Sequence, residues 1–394
     1  MKDIAEKSLF DIPGGWKTLL WILVLLGIGM FIAGLMTGGE ESVVRTWQAF
    51  LINTVFWGGI AHAGVLFAVI WQLTDAKWGR AFKRLAEACA GFLPISFLMF
   101  MVVFFGSHVL YEWTHTPFLH HGEAVKQGWL NLPFFISRNV FWLLLIYGIS
   151  YWFIKTSIKP DIALARRLIG SEWGGKFADW VLEDYGEHET EVIRLEKLSR
   201  KIAPVLAFVY SIGGSFLAWD FVMTLDQTWF STLFGVFVMI GNMHAFLGLM
   251  LVVAVTVRQK FAIEEYISIN RLHDLAKMTF AFSLLWTYMG YSQYIVIWYA
   301  DLPEETPYLI IRSMNAPWNT LFLVIILWVF VSVFLGLLPR TLCRIPNYIR
   351  LMGIWVMLGQ LLSVYIMVVP SLQHDGHYHI CLLYTSPSPR DGIG

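Results

Sequence analysis

Long apolar stretches separated by short polar connections dominate the chain. Nine of them hold about 20 apolar residues each, enough to cross the hydrocarbon core of a bilayer as a helix. They lie at residues 18–37, 47–72, 88–112, 134–155, 202–225, 230–257, 275–300, 317–338 and 349–370. The pattern predicts an all-α polytopic membrane protein with nine spans.

Composition strengthens this prediction and narrows the chemistry. Hydrophobic residues make up 57% of the chain and charged residues 14%, whereas soluble proteins carry about 25% charged residues. The three cysteines, Cys89, Cys343 and Cys381, fit no haem-attachment, iron–sulfur or zinc spacing. We therefore expect no metal site, no covalently bound cofactor and no nucleic-acid partner, but contact with a lipid bilayer.

The distribution of lysine and arginine predicts the orientation. Alternate connections, beginning with the N-terminal segment, hold 23 basic residues, and the intervening connections hold only three. Because cytoplasmic loops are enriched in lysine and arginine, the N-terminus is expected on the cytoplasmic side of the membrane. The membrane itself is expected to be a bacterial inner membrane. The first span has no small-residue cleavage site after it and is not expected to be a signal peptide. Residues 156–201 form the largest predicted cytoplasmic piece, either a connector or a docking surface for another subunit.

Short matches indicate an internal repeat. Spans 2 and 6 both contain G-x-x-H-A, at Gly59–Ala63 and Gly241–Ala245, and spans 4 and 8 begin alike, at Asn131–Phe134 and Asn315–Trp318. The shared four-span offset and direction favour a parallel duplication into two four-helix bundles with a peripheral first span. The expected division is 1–46 (N-terminal segment and span 1), 47–155 (spans 2–4), 156–201 (connector), 202–229 (span 5), 230–372 (spans 6–9) and 373–394 (tail).

Two histidines, His62 and His244, lie about 15 residues into their spans, near the predicted midplane. Titratable groups at this depth are costly and usually face the interior of a bundle. Each histidine has a structural interpretation, as a neutral group bonded to a neighbouring hydroxyl or carbonyl. It also has a functional interpretation, as a proton relay. Haem b ligation would need both rings in one cavity, which the sequence does not show.

A second polar group gathers on the predicted outer side and comprises His108, Glu112, Arg138, Asp220 and Asp226. Arg138 paired with Asp220 or Glu112 would neutralise buried charge. Alternatively the group forms a proton exit or a quinol-binding edge, since a quinol head group needs partners that also accept protons. The two interpretations are compatible.

The seventh span is unusually polar. Asp274 lies near its start, where a carboxylate suits the positive end of a helix dipole. We therefore expect Asp274 to cap the helix. A place in a proton path is the alternative. Tyr288, Gln293 and Tyr294 are distributed around the helix and leave no broad aliphatic face for lipid. We therefore expect this helix to be surrounded by other helices and to form a polar wall or quinol contact.

The residues Asn53–Gly64, followed by a basic loop and Arg84–Ala88, resemble the NrfD/polysulfide-reductase superfamily of membrane subunits. Longer segments resemble the second NrfD-like membrane subunit of alternative complex III, over roughly residues 15–375. These segments are LYEWTHTP (110–117), WLNLPFFISRNVFW (129–142), WDFVMTLDQTWFSTLFGV (219–236), HDLAKMTFAFSLLWTYMGYSQYIVIWYADLPEET (273–306) and LLPR (337–340).

The resemblance implies two four-helix bundles in a complex that oxidises quinol or menaquinol and passes electrons to cytochrome c or a terminal oxidase. Its implied partners are a sister NrfD-like subunit, an iron–sulfur subunit and c-type cytochromes. This subunit would not be catalytic by itself and would contribute a proton path, a quinol contact or both. A membrane anchor of a polysulfide- or dimethyl-sulfoxide-type reductase is the alternative within the superfamily, and a secondary transporter is the alternative outside it.

The end of the chain departs from the family pattern, which has a tenth span. After Gln373–His377 the sequence continues as CLLYTSPSPRDGIG, which resembles translated adapter or vector sequence. We therefore expect residues after about 380 to be foreign and the last family helix to be missing.

Overall fold

Helices supply nearly all of the regular structure in the computed structural model, which describes residues 13–76, 79–115, 119–120, 123–124, 126–303 and 305–372. The first eight α-helices are α1 Gly14–Met36, α2 Glu40–Thr74, α3 Arg80–Glu87, α4 Leu93–Phe105, α5 Ser107–Leu110, α6 Leu132–Ile169, α7 Gly175–Leu182 and α8 His188–Phe221. The next six are α9 Phe234–Phe261, α10 Ile269–Ala300, α11 Thr306–Ser313, α12 Trp318–Ile325, α13 Val333–Leu337 and α14 Pro346–Val368.

Shorter elements join these helices. The 3₁₀ turns are Ala88–Phe92, Glu112–Thr114, Met223–Leu225, Leu342–Arg344 and Val369–Leu372, and a π-helix, Ile326–Ser332, connects α12 to α13. The strands β1 Leu119–His120 and β2 Glu123–Ala124 form one minimal antiparallel pair. The predicted all-α polytopic fold is confirmed.

Eight helical stretches in the described ranges are long and apolar enough to cross a membrane. They are Gly14–Met36, Glu40–Thr74, Arg80–Phe105, Leu132–Ile169, His188–Leu225, Phe234–Phe261, Trp318–Leu337 and Pro346–Leu372. The seventh predicted span forms α10, which has 32 residues but is too polar to be counted with these eight. Its role as a span stays a prediction.

Two central helices, α2 and α9, carry the repeated G-x-x-H-A segments and pack against each other. A Cβ atom at Gly59 of α2 would lie 2.3 Å from the Asn242 side chain of α9, so glycine is needed for this approach. Helix α9 also crosses α14 closely, because a Cβ at Gly353 would lie 2.5 Å from the carbonyl oxygen of Gly248. Small residues at such crossings let membrane helices approach backbone to backbone.

The two ends of the helix assembly can be named by their charged residues. The Asp220 end holds Arg138 and Asp220, together with the connection that contains α11. The opposite end, which we call the Asp274 end, holds Asp274 and the connection 170–187. The division into two bundles stays a prediction, and the predicted foreign tail lies outside the described residues.

The start of α10 corrects one expectation. Ser268 is the N-cap residue, and its Oγ accepts a hydrogen bond from the backbone N–H of Arg271 at 3.4 Å. Asp274 lies beyond the first turn, is about half exposed, and is 3.9 Å from Lys277 and 3.8 Å from His273. The expectation that Asp274 caps this helix is wrong, because the helix begins one turn earlier than its apolar pattern.

Candidate functional site

A buried ion pair joins helices α6 and α8 at the Asp220 end. Arg138 donates from Nε and Nη2 to the two carboxylate oxygens of Asp220, both at 2.7 Å, and Asn139 Nδ2 donates to the same carboxylate at 2.8 Å. Asp220 is fully buried and Arg138 is 7% exposed. Such bidentate arginine–carboxylate pairs are among the strongest polar contacts in proteins.

Aromatic rings close the site around Arg138. Its guanidinium carbon lies 3.8 Å from the ring centre of Trp129 and 4.5 Å from that of Phe134. Three donors on one carboxylate favour the ionised form. The arrangement therefore gives Asp220 a structural role in joining α6 and α8, and its predicted place in a proton path stays a prediction.

Two residues predicted for this cluster lie outside the ion pair. The side chains of His108 and Glu112 are exposed, and the His108 carbonyl oxygen accepts a hydrogen bond from His115 Nε2 at 2.8 Å. Arg138 pairs with Asp220 rather than with Glu112, because α8 brings Asp220 directly opposite the first turns of α6.

His62 belongs to a chain of hydrogen-bonding groups in the interior. Its Nε2 lies 3.0 Å from the hydroxyl of Tyr147, which lies 2.5 Å from the hydroxyl of Ser96. Tyr210 packs edge-on against His62, with ring centres 5.9 Å apart, and its own hydroxyl lies 3.0 Å from that of Ser150. This arrangement fits both a structural histidine and a proton relay.

His244 has a different environment from its repeat counterpart. It is fully buried, and its Nδ1 lies 2.8 Å from Gln360 Nε2 on α14. Its Nε2 has no hydrogen-bond partner among the described residues. His62 lines a cavity of about 50 Å³ together with Asn242, and His244 does not line it, so the two histidines do not face a common haem-sized cavity.

A large cavity lies in the second half of the chain. It has a volume of about 450 Å³, within the range of ligand pockets. Its wall is mostly apolar and comes from α9, α10, α11, α12, α14 and the π-helix, which contributes Ile326 and Phe330. Its polar lining residues are Thr287, Tyr291, Gln293, Tyr294, Tyr308, Arg312, Ser313 and Ser363.

Helix α10 supplies much of the polar lining of this cavity. The sequence predicted a polar wall from Tyr288, Gln293 and Tyr294, and two of these three residues are found in the lining. Gln293 and Tyr294 line the cavity, and Gln293 Oε1 accepts from Ser231 at 3.3 Å. Tyr288 is 62% exposed on another face. The expectation that α10 is surrounded by helices is wrong within this chain, because only one side of it packs against other helices.

Asp226 stands beside the cavity in a tight turn. Its Oδ1 accepts hydrogen bonds from the backbone N–H groups of Thr228 and Trp229 at 3.0 and 3.3 Å, and from the Thr228 hydroxyl at 2.7 Å. This pattern is typical of an aspartate that stabilises a turn. Asp226 is not a lining residue of the cavity.

Arg312 was not singled out by sequence reasoning, because it lies in a connection and was counted only for orientation. It is 4% exposed and lines the cavity from α11. Its guanidinium carbon lies 3.5 Å from the ring centre of Tyr308, which stacks on Trp229 with ring centres 3.7 Å apart. Burial lowers the pKa of Arg312 and raises that of Tyr308, and an arginine remains charged at physiological pH.

A third charged cluster, near the Asp274 end, was also missed. Glu87 is 3% exposed, forms an ion pair with Arg84, and accepts a hydrogen bond from Ser157 at 2.7 Å. Arg84 also contacts Asp161, with 2.7 Å between Nε and Oδ2. The cluster ties α3 to α6. No group of three histidine, cysteine or carboxylate side chains suited to a metal ion occurs within the described ranges.

Comparison with known proteins does not identify the chain: no family model matches it, and no curated protein matches it.

Proposed function

We propose that this chain is a membrane subunit of a quinol-oxidising respiratory complex of the alternative complex III type, and that its large cavity holds the quinol head group. The observation that carries the proposal is the cavity of about 450 Å³, apolar over most of its wall and supplied with a few polar side chains. The sequence resemblance supports the same function independently.

The chemistry of the wall suits this ligand. A quinol combines a long apolar tail with two ring hydroxyls that need hydrogen-bond partners, and ligand pockets commonly pair an apolar wall with a few placed polar groups. Gln293, Tyr294 and Arg312 supply such groups on one cavity. Under this proposal the electrons leave for iron–sulfur and c-type haem groups on partner subunits, beside a sister NrfD-like subunit.

A proton path is the second contribution that we propose. His62, Tyr147 and Ser96 form consecutive hydrogen-bond contacts in the interior, and such chains of titratable and hydroxyl groups mark proton relays in membrane proteins. Asp220 would hold the helices in place beside this path. We also propose that the complex lies in a bacterial inner membrane with the N-terminus cytoplasmic and the Asp220 end outside.

A substitution that fills the cavity tests the quinol site. Gly290 lines it, and a Cβ there would lie 3.4 Å from Phe237, so Gly290→Leu places a side chain inside with little backbone strain. In the assembled complex we expect bound quinone per complex, measured after solvent extraction, and quinol turnover both to fall about tenfold or more. The corresponding loss of binding free energy, about 1.4 kcal/mol, is that of one buried polar contact.

The matched control is Gly148→Leu, since Gly148 is exposed on α6 and has open space around it. This variant should retain both bound quinone and turnover. If Gly290→Leu also retains both while assembling normally, the cavity is not the quinol site.

A further inference from the structure

Arg312 reaches the cavity with unused hydrogen-bonding capacity. Its Nε donates to the carbonyl oxygen of Ile366 at 3.1 Å, and Nη1 donates to that of Tyr308 at 2.9 Å. Its Nη2 donates to the Met367 carbonyl oxygen at 3.1 Å and to the Ser371 hydroxyl at 2.6 Å. A guanidinium has five N–H donors, so one N–H on Nη1 has no acceptor among the described residues.

The charge of Arg312 is also uncompensated at contact distance. None of the described carboxylates lies within 4.0 Å of its nitrogens, and all four acceptors that it does have are neutral. The described part of the cavity wall contains no aspartate or glutamate. Asp226 is near enough to act electrostatically but too far for an ion pair. An unpaired buried charge is costly, and an opposite charge nearby relieves that cost.

Arg138 is a useful comparison for Arg312, because its charge is paired with a carboxylate. Arg138 ties the start of span 4 to the end of span 5 through the carboxylate of Asp220. Arg312 lies in α11, before span 8, and binds the end of span 9, where Met367 and Ser371 contribute only a carbonyl and a hydroxyl oxygen. Arg312 therefore joins helix ends as Arg138 does, but it has no carboxylate at contact distance among the described residues, and it lies beside a cavity.

The guanidinium is held in place for a ligand. Tyr308 covers one face of it, and Trp229 covers the far side of Tyr308. Four hydrogen bonds restrict its rotation. A preorganised donor in a water-poor cavity stabilises negative charge far more than a mobile surface arginine does.

We infer that the cavity selects a ring ligand whose head-group oxygen is negatively charged, and that this oxygen accepts the remaining Nη1 hydrogen bond of Arg312. This inference rests on the proposed function and specifies the ligand: an acidic, ionised hydroxyquinone or the monoanion of a quinol binds more tightly than the neutral form. Arg312 is the specificity-determining residue.

A pair of closely related ligands, only one of which can ionise, tests the inference on the full chain in detergent. One is a 3-alkyl-2-hydroxy-1,4-naphthoquinone, a vinylogous acid that is ionised at neutral pH, and the other is its 2-methoxy ether, which cannot ionise. Wild-type protein should bind the hydroxy compound at least about tenfold more tightly, as expected for a hydrogen bond to a charged group. The preference should disappear when the pH is lowered until the hydroxy compound is neutral.

The methoxy compound separates ionisation of the ligand from titration of the protein. Asp226 and the phenols of Tyr291, Tyr294 and Tyr308 are the titratable groups around Arg312, and the methoxy compound reports any effect of their titration on binding in general. Arg312→Gln should reduce the preference to about onefold, while Arg312→Lys, which keeps the charge, should retain part of it.

Three outcomes separate the possibilities. Equal binding of the two compounds by wild-type protein overturns the inference and leaves the proposed quinol site intact. Binding of neither compound overturns both. If Arg312→Gln does not fold, the wild-type preference and its pH dependence still decide, because neither needs a variant.

Discussion

At the scale of single residues, the Arg138–Asp220 pair makes a strong prediction about stability. Asp220→Asn removes the charge but keeps the shape, so it leaves Arg138 buried without an anion. Breaking a buried pair from one side costs about 3–5 kcal/mol. We expect a loss of this size in the free energy of unfolding, measured by denaturant titration of the full chain in detergent micelles.

The matched control is Asp161→Asn, which removes a carboxylate that is 60% exposed and paired with Arg84. Exposed pairs contribute about 0–1 kcal/mol, so this variant should unfold close to wild type. Adding Arg138→Gln to Asp220→Asn should recover part of the loss. If Asp220→Asn and Asp161→Asn lower the free energy of unfolding equally, the buried ion pair contributes no more to stability than the exposed one.

The residue scale also shows where sequence reasoning stops. Arg138 and Asp220 could be singled out because charges are rare in membrane helices and stand out against an apolar background. The sequence could not decide whether Arg138 pairs with Asp220 or with Glu112, since the pairing depends on how α6 and α8 face each other. Arg312 escaped notice because its acceptors are carbonyl oxygens and a serine, which no charge pattern reveals.

At the scale of helices, the crossing of α9 and α14 depends on two glycines. A Cβ at Gly353 would meet the Gly248 carbonyl oxygen at 2.5 Å and Leu251 at 3.0 Å, and a backbone atom cannot move aside as a flexible side chain can. Gly353→Ala should therefore force the helices apart and cost about 1–3 kcal/mol. Thermal unfolding of the full chain measures this.

The control for that helix crossing is Gly148→Ala, where a new Cβ meets nothing within 4 Å. It should be neutral or slightly stabilising, because alanine favours a helix over glycine. A neutral Gly353→Ala would mean that the two helices tolerate separation at this point.

Helix boundaries illustrate the limits of the apolar pattern. The pattern placed the spans but not their ends, because α2, α6 and α8 continue beyond the apolar stretch into polar turns. The wrong capping assignment for Asp274 has this cause. The polar wall of α10 was half predicted: Gln293 and Tyr294 face the cavity, but angular position alone could not say that Tyr288 would lie on an open side.

At the scale of the whole molecule, the two halves of the chain differ in how their polar sites are closed. Each half has an arginine that binds the end of its last helix, and each has a histidine on its central helix. In the first half, Arg138 pairs with Asp220, and His62 packs against Tyr147 and Tyr210. The second half keeps a cavity beside Arg312. One arginine therefore lies in a closed ion pair, and the other lies beside a cavity with room for a ligand.

Orientation is the remaining property of the whole molecule, and it determines on which side protons from a quinol would be released. In the sequence, alternate connections beginning with the N-terminal segment hold 23 basic residues and the intervening ones hold three. The connection 170–187 belongs to the basic set, which predicts a cytoplasmic Asp274 end. After replacement of the native cysteines by serine, Asp184→Cys and Gln127→Cys place exposed thiols at the two ends. In intact spheroplasts a membrane-impermeant maleimide should label Gln127→Cys only, and after lysis it should label both. Labelling of Asp184→Cys in intact spheroplasts would invert the topology and place the ligand cavity and Arg312 nearer the cytoplasmic side.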